Sequence, residues 1–122
     1  MREIKFRGKR LDNGGWVYGG FAIRHRGAIP VILEADEDSI TFRIVYRRTV
    51  GQFTGLLDKN GKEIYEGDIF RFDHPDSINE VSYSIGGGFA GFDFSPAFTD
   101  GDKLTNIEII GNIHDNPELI NL

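Results

Sequence analysis

The chain has 122 residues and no cysteine. That excludes a disulfide scaffold, a thiol nucleophile, cysteine redox chemistry and thiolate zinc sites. Proline occurs four times and tryptophan and methionine once each, and no linker that would separate domains is seen. No apolar run approaches the roughly 20 residues that span a bilayer. Residues 1–10 alternate charged and apolar positions, so the apolar core of a signal peptide is missing as well. Excess positive charge is also absent. A net charge of −5 argues against nucleic-acid binding through a uniformly basic surface. These absences point to a soluble intracellular protein that is not membrane-associated.

What is present is glycine and phenylalanine, sixteen and ten respectively, a mixture suited to many short strands joined by tight turns. The length fits one domain, 1–122, with a real core. Charge is uneven along it: residues 1–48 hold ten Lys or Arg against six Asp or Glu, and the remainder holds four against thirteen. If the halves interleave in space, the asymmetry disappears. If they segregate, it suits self-association or a phosphate-bearing partner.

Ile4, Phe6 and Gly8 alternate with Lys5, Arg7 and Lys9, and residues 4–23 read as a β-hairpin turning at Asp12-Asn13-Gly14-Gly15. Ala28 to Leu33 is a short strand in which Pro30 implies a sheet edge or a strand start. Ile40, Phe42, Ile44 and Tyr46 alternate with Thr41, Arg43, Val45 and Arg47, which places the first set inward and the second outward. Asn60-Gly61 between Val50–Leu57 and Lys62–Tyr65 is a strong hairpin signal, with both central residues expected at positive φ. Glu66-Gly67-Asp68 turns the chain into Ile69–Phe72 and completes a meander. Ile78–Ile85 and Phe89–Phe94 read as a second hairpin, and Leu104–Ile113 as a last strand. Asn116 before Pro117 reads as the cap of at most one helical turn. The fold class is all-β, a small SH3-like barrel with an N-terminal hairpin.

Candidate chemistry is sparse. Gly86 to Gly91 matches the letters of a dinucleotide-binding loop, yet Phe92-Asp93-Phe94-Ser95-Pro96 is a poor helix start, and a glycine-rich turn is the better reading. His25, His74 and His114 are scattered. Asp73, His74 and Asp76 could serve a metal-dependent hydrolase, and Asp100-Gly101-Asp102 is only a fragment of a calcium loop. Glu63, Glu66 and Asp68 read as solvent-exposed acids. No residue is assigned as catalytic, cofactor-binding or metal-ligating, and no cofactor is expected. The basic residues Arg7, Lys9, Arg24, Arg26, Arg43, Arg47 and Arg48, with Lys5, are the candidate phosphate or nucleic-acid contacts. Phe6 and Phe42, placed inward by alternation, are assigned to the core rather than to base stacking.

Several ordered motifs resemble the YopX family of phage and prophage proteins. Residues 4–9 with Gly15-Trp16-Val17-Tyr18-Gly19 resemble its opening, Thr49 to Leu56 with Asp58 to Ile69 its centre, and Ile110-Gly111-Asn112-Ile113 with Asn116-Pro117-Glu118-Leu119 its close. Phe53 and His114 stand where Tyr is the commoner family residue. The resemblance implies a β-rich fold with an SH3-like barrel, a phage or prophage origin and residence in the bacterial host cytoplasm. It implies no activity and transfers no site residue. The reading is a non-enzymatic binding module acting by homo-oligomerisation or on a host or phage protein. Nucleic-acid binding through the basic N-terminal face is the alternative, and a small hydrolase the third.

Overall fold

A computed structural model describes residues 4–24, 26–72, 78–84, 88–90, 99–100 and 103–120, without the side chains of 83–84, 88–90 and 99–100. Strand dominates, and the helical segments among the described residues are two 3-10 turns, Arg47–Thr49 and Pro117–Leu119. The chain is all-β. It divides into two compact units, residues 3–53 and residues 54–122. The division falls within a few residues of the charge boundary in the sequence.

The first unit is an antiparallel meander of β1 (Phe6–Lys9), β2 (Trp16–Arg24), β3 (Ile29–Ala35) and β4 (Ile40–Ile44), with β5 (Gly51–Leu57) returning beside β1. The β1–β2 hairpin turns where Asp12–Gly15 predicts, closed by the Arg10 N–H donating to Gly15 O at 2.8 Å. Pro30 occupies the second position of β3, a strand flanked on both sides, so of the two expected placements it takes the strand start. The Thr49 hydroxyl accepts from Lys9 N–H at 2.9 Å and donates to Tyr46 O at 2.6 Å, fastening the Arg47–Thr49 turn to β1. Val17, Ile32 and Val45 form the buried core of this unit, with Phe6, Phe21 and Val50 packed around them.

The second unit begins within β5 and contains β6 (Glu63–Tyr65), β7 (Asp68–Phe72), β8 (Ile78–Glu80), β9 (Ser82–Ser84), β10 (Gly88–Ala90), β11 (Thr99–Asp100), β12 (Lys103–Leu104) and β13 (Ile107–Asn112). Its core gathers Ile64, Phe70, Val81, Leu104, Ile107 and Ile109. β9 and β10 pair antiparallel, as the second hairpin requires, while Ile85 and residues 91–94 of that expected hairpin lie outside the described residues. Several expectations are corrected. β7 does not continue a meander from β6: it lies between β8, the next strand in sequence, and β13, which comes from far along the chain. Ile78–Ile85 is broken at Val81, whose N–H donates back to Asp68 O at 2.8 Å. Leu104–Ile113 is broken by a turn at Thr105-Asn106.

Two turns owe their shape to buried carboxylates. Asp58 Oδ1 accepts from the N–H groups of Asn60 (2.8 Å) and Lys62 (2.9 Å), and its Oδ2 from Ile109 N–H (2.9 Å). Only Gly61 of the Asn60-Gly61 pair takes positive φ, at 82°, so the hairpin is a type I turn closed by a glycine rather than a turn with both central residues left-handed. Asp68 Oδ2 accepts from Tyr65 N–H at 2.7 Å across Glu66-Gly67. After Pro117 one turn forms as expected, but Asn116 makes no side-chain cap bond: its Oδ1 accepts instead from Asn112 N–H at 3.3 Å.

Candidate interaction surface

The phase of β4 decides which side chains the first unit shows to solvent. Val45, one residue beyond β4, is buried beside Val17 and Ile32. Gly8 makes the room for it: a Cβ at that position would lie 3.1 Å from the Val45 side chain. With Val45 fixed inward, the two-residue period puts Thr41 and Arg43 on the same side and sends Ile40, Phe42 and Ile44 outward. They are 64%, 58% and 43% exposed. This reverses the inward placement of Ile40, Phe42, Ile44 and Tyr46 read from alternation, and Phe42 is not a core residue. Counting apolar residues favoured the wrong face; the missed signal was one glycine on β1 opposite one valine.

The backbone of β4 follows the same logic. Val45 N–H donates to Pro30 O at 3.2 Å, toward β3, while Ile44 O accepts from Leu11 N–H at 3.0 Å on the opposite side. Peptide groups alternate sides along an antiparallel strand, so those of Ile40 and Phe42 point away from β3. β4 ends its sheet in the observed strand order. Beside this edge lies an open groove of about 330 Å³ lined by Arg10, Leu11, Asp12, Phe42, Arg43 and Ile44. Arg10 and Asp12 form a two-bonded ion pair across its rim, at 2.9 and 2.6 Å.

The seven candidate cations are held by three parts of this unit. Arg7 and Lys9 both lie over Trp16: the Arg7 guanidinium is 4.6 Å from the indole centroid and only 5% exposed, and the Lys9 ammonium is 5.7 Å from it. Lys5 similarly covers Phe53 at 5.1 Å. Alternation predicts a solvated basic face on β1, but the cationic heads lie over aromatic rings and Arg7 is buried. Arg24 and Arg26 are exposed at the β2–β3 turn. Arg43 donates to Glu34 at 2.7 Å, and Arg47 and Arg48 are exposed at the 3-10 turn, with Arg48 5.4 Å from the Tyr46 ring.

Acidic candidates are resolved by burial. Asp68 is buried as a turn acceptor and Glu63 is half-buried, accepting from the Tyr65 hydroxyl at 2.9 Å, so neither fits the solvent-exposed reading. Among the described residues no three His, Asp or Glu side chains gather to hold a metal. Asp73, His74 and Asp76 lie outside the described residues, as do His25, Gly101 and Asp102. Of the dinucleotide-like run, Gly88–Ala90 is a strand and the rest lies outside them.

Three surface carboxylates are held below their ordinary range: Asp12 by the Arg10 hydrogen bond, Asp36 by the N–H groups of Asp38 and Ser39, and Glu108 by the Arg71 hydrogen bond. Groups with depressed folded-state pKa contribute stability that is fully present above the unfolded carboxylate value, about 4, and is lost as pH falls through the folded value. Denaturant midpoints measured across acidic pH should therefore be flat above about pH 5 and decline below about pH 4. Glu108→Gln should make the decline shallower.

The structure is similar to the crystal structure of protein EF1440 from Enterococcus faecalis, with a TM-score of 0.61, 25% sequence identity, and coverage of 99% of this chain and 100% of that one. No curated protein matches the sequence. The family model described as YopX protein matches residues 5–121. With nearly its whole length covered by that model, the chain belongs to the YopX family.

Proposed function

We propose that this YopX-family chain is a non-enzymatic binding module of phage or prophage origin, working in the host cytoplasm by protein contact through the outward face of β4. The carrying observation is a row of apolar side chains, Ile40, Phe42 and Ile44, left exposed at a sheet edge beside a groove. Contiguous apolar surface next to unpaired strand backbone favours contact with another polypeptide. An SH3-like reading of the first unit is supported by a four-strand meander with the fifth strand returning beside the first, the 3-10 turn before the fifth, and the Arg10–Val45 bridge that brings β4 back toward β1. The proposal is tested with purified wild-type chain and a Phe42→Ser/Ile44→Ser chain of unchanged fold. Self-association or partner retention by the wild type, lost in the double substitution, supports it; neither self-association nor retention by the wild type overturns it.

Exposed Arg24, Arg26, Arg47 and Arg48 favour nucleic-acid binding as a second reading. It predicts a salt-sensitive mobility shift with DNA or RNA that weakens when Arg43, Arg47 and Arg48 are neutralised. No shift at low salt would reject it.

A further inference from the structure

We propose that β4 pairs antiparallel with β4 of a second copy of this chain, forming a two-fold symmetric dimer. This rests on the reading of β4 as a protein-contact edge and names its occupant. The strand is self-complementary in three respects. Its open edge offers the backbone groups of Ile40 and Phe42, which are two residues apart, so a two-fold axis at Thr41 sets Ile40 of each copy against Phe42 of the other and makes both pairs hydrogen-bonded. The same register merges the exposed apolar rows of both strands into one strip. Finally, β4 has an acidic turn at one end, Asp36-Glu37-Asp38, and a basic one at the other, Arg47-Arg48, all exposed. Antiparallel pairing lays the acidic end of each copy against the basic end of the other.

Leu11 already occupies the edge at Ile44, so ladder pairing stops at Phe42. Beside that edge Arg10 and Arg43 are already ion-paired with Asp12 and Glu34, so the positive charge that receives the partner's acidic turn is that of the exposed Arg47 and Arg48. A parallel arrangement would place like charges together and leave the ends repelling. An unrelated extended peptide would need the same acid–apolar–base order, which this chain already carries.

The test is sedimentation velocity on the full chain from about 1 µM to about 1 mM, the range of modest protein–protein affinity. The wild type is expected to form a concentration-dependent dimer that weakens at high salt. Arg47→Glu/Arg48→Glu and Glu37→Lys/Asp38→Lys should each raise the dimer Kd about tenfold or more. Mixed in equal amounts the two charge-reversed chains should recover the dimer, because one carries two acidic ends and the other two basic ends. Asp36 is left intact because its carboxylate accepts from Asp38, Ser39 N–H and the Ser39 hydroxyl. Thermal melts of both variants check that these exposed changes preserve the fold. A monomeric wild type at about 1 mM, or a mixture that stays monomeric, overturns the self-pairing. If that monomer still retains a partner in a Phe42-dependent way, the binding reading stands and only the occupant is wrong.

Discussion

Asp58→Ala is expected to destabilise the protein by about 4 kcal/mol, close to the whole stability of many small domains. The carboxylate is 1% exposed and accepts three backbone N–H groups, two from the turn it begins and one from Ile109, 51 residues away. Each donor left without a partner in a buried setting costs about 1–3 kcal/mol, and an ionised acceptor makes stronger bonds than a neutral one. Asp58→Asn is expected to cost less, about 2–3 kcal/mol, because one amide oxygen still serves the turn while the amide NH2 opposes the Ile109 N–H. Urea unfolding at neutral pH measures both. If Asp58→Ala unfolded within about 1 kcal/mol of the wild type, the carboxylate would be tying nothing together.

Gly19→Ala is expected to cost about 3 kcal/mol or more, since a Cβ there would sit 2.0 Å from Leu33 O. A backbone carbonyl cannot swing aside as a long side chain can, so β2 and β3 would have to separate where they pair. The neighbouring Gly20→Ala is the control. Its Cβ would meet Leu33 Cδ1 at 3.6 Å, an ordinary contact, and the change should stay within about 0.5 kcal/mol. Equal effects at the two positions would mean that the close approach at Gly19 is not what requires glycine. The order Gly19 ≫ Gly20 is read from the same urea curves.

Both residues mark the boundary of what the sequence could reveal. Local signals were legible: Asp12–Gly15 and Asn60-Gly61 turn the chain where residues tolerant of turn geometry cluster, and Pro117 opens a single helical turn. The family resemblance was legible too, because its motifs are ordered along nearly the whole chain. Long-range pairings were not. Nothing local tells Asp58 that Ile109 will donate to it, or Phe72 that Ile107 will stand opposite. The exposed side of β4 is hidden for the same reason: Ile40, Phe42 and Ile44 look like a core face until Val45 is set against Gly8. Arg7 shows the converse: a charged residue that alternation sends to solvent is buried under an indole ring from the neighbouring strand. Burial is settled by the partner strand, and a period of two leaves the choice of face open.

The absence of cysteine makes that choice directly measurable. Single Phe42→Cys and Val45→Cys chains, labelled with a thiol reagent under native conditions and at low concentration, report which side of the strand faces water. With β4 facing as described, the thiol introduced at position 42 should react within about tenfold of its rate in urea, and the one at position 45 about a hundredfold or more slower. Rapid labelling at 45 with protection at 42, in the monomer, would contradict the outward apolar face on which the proposed binding function depends.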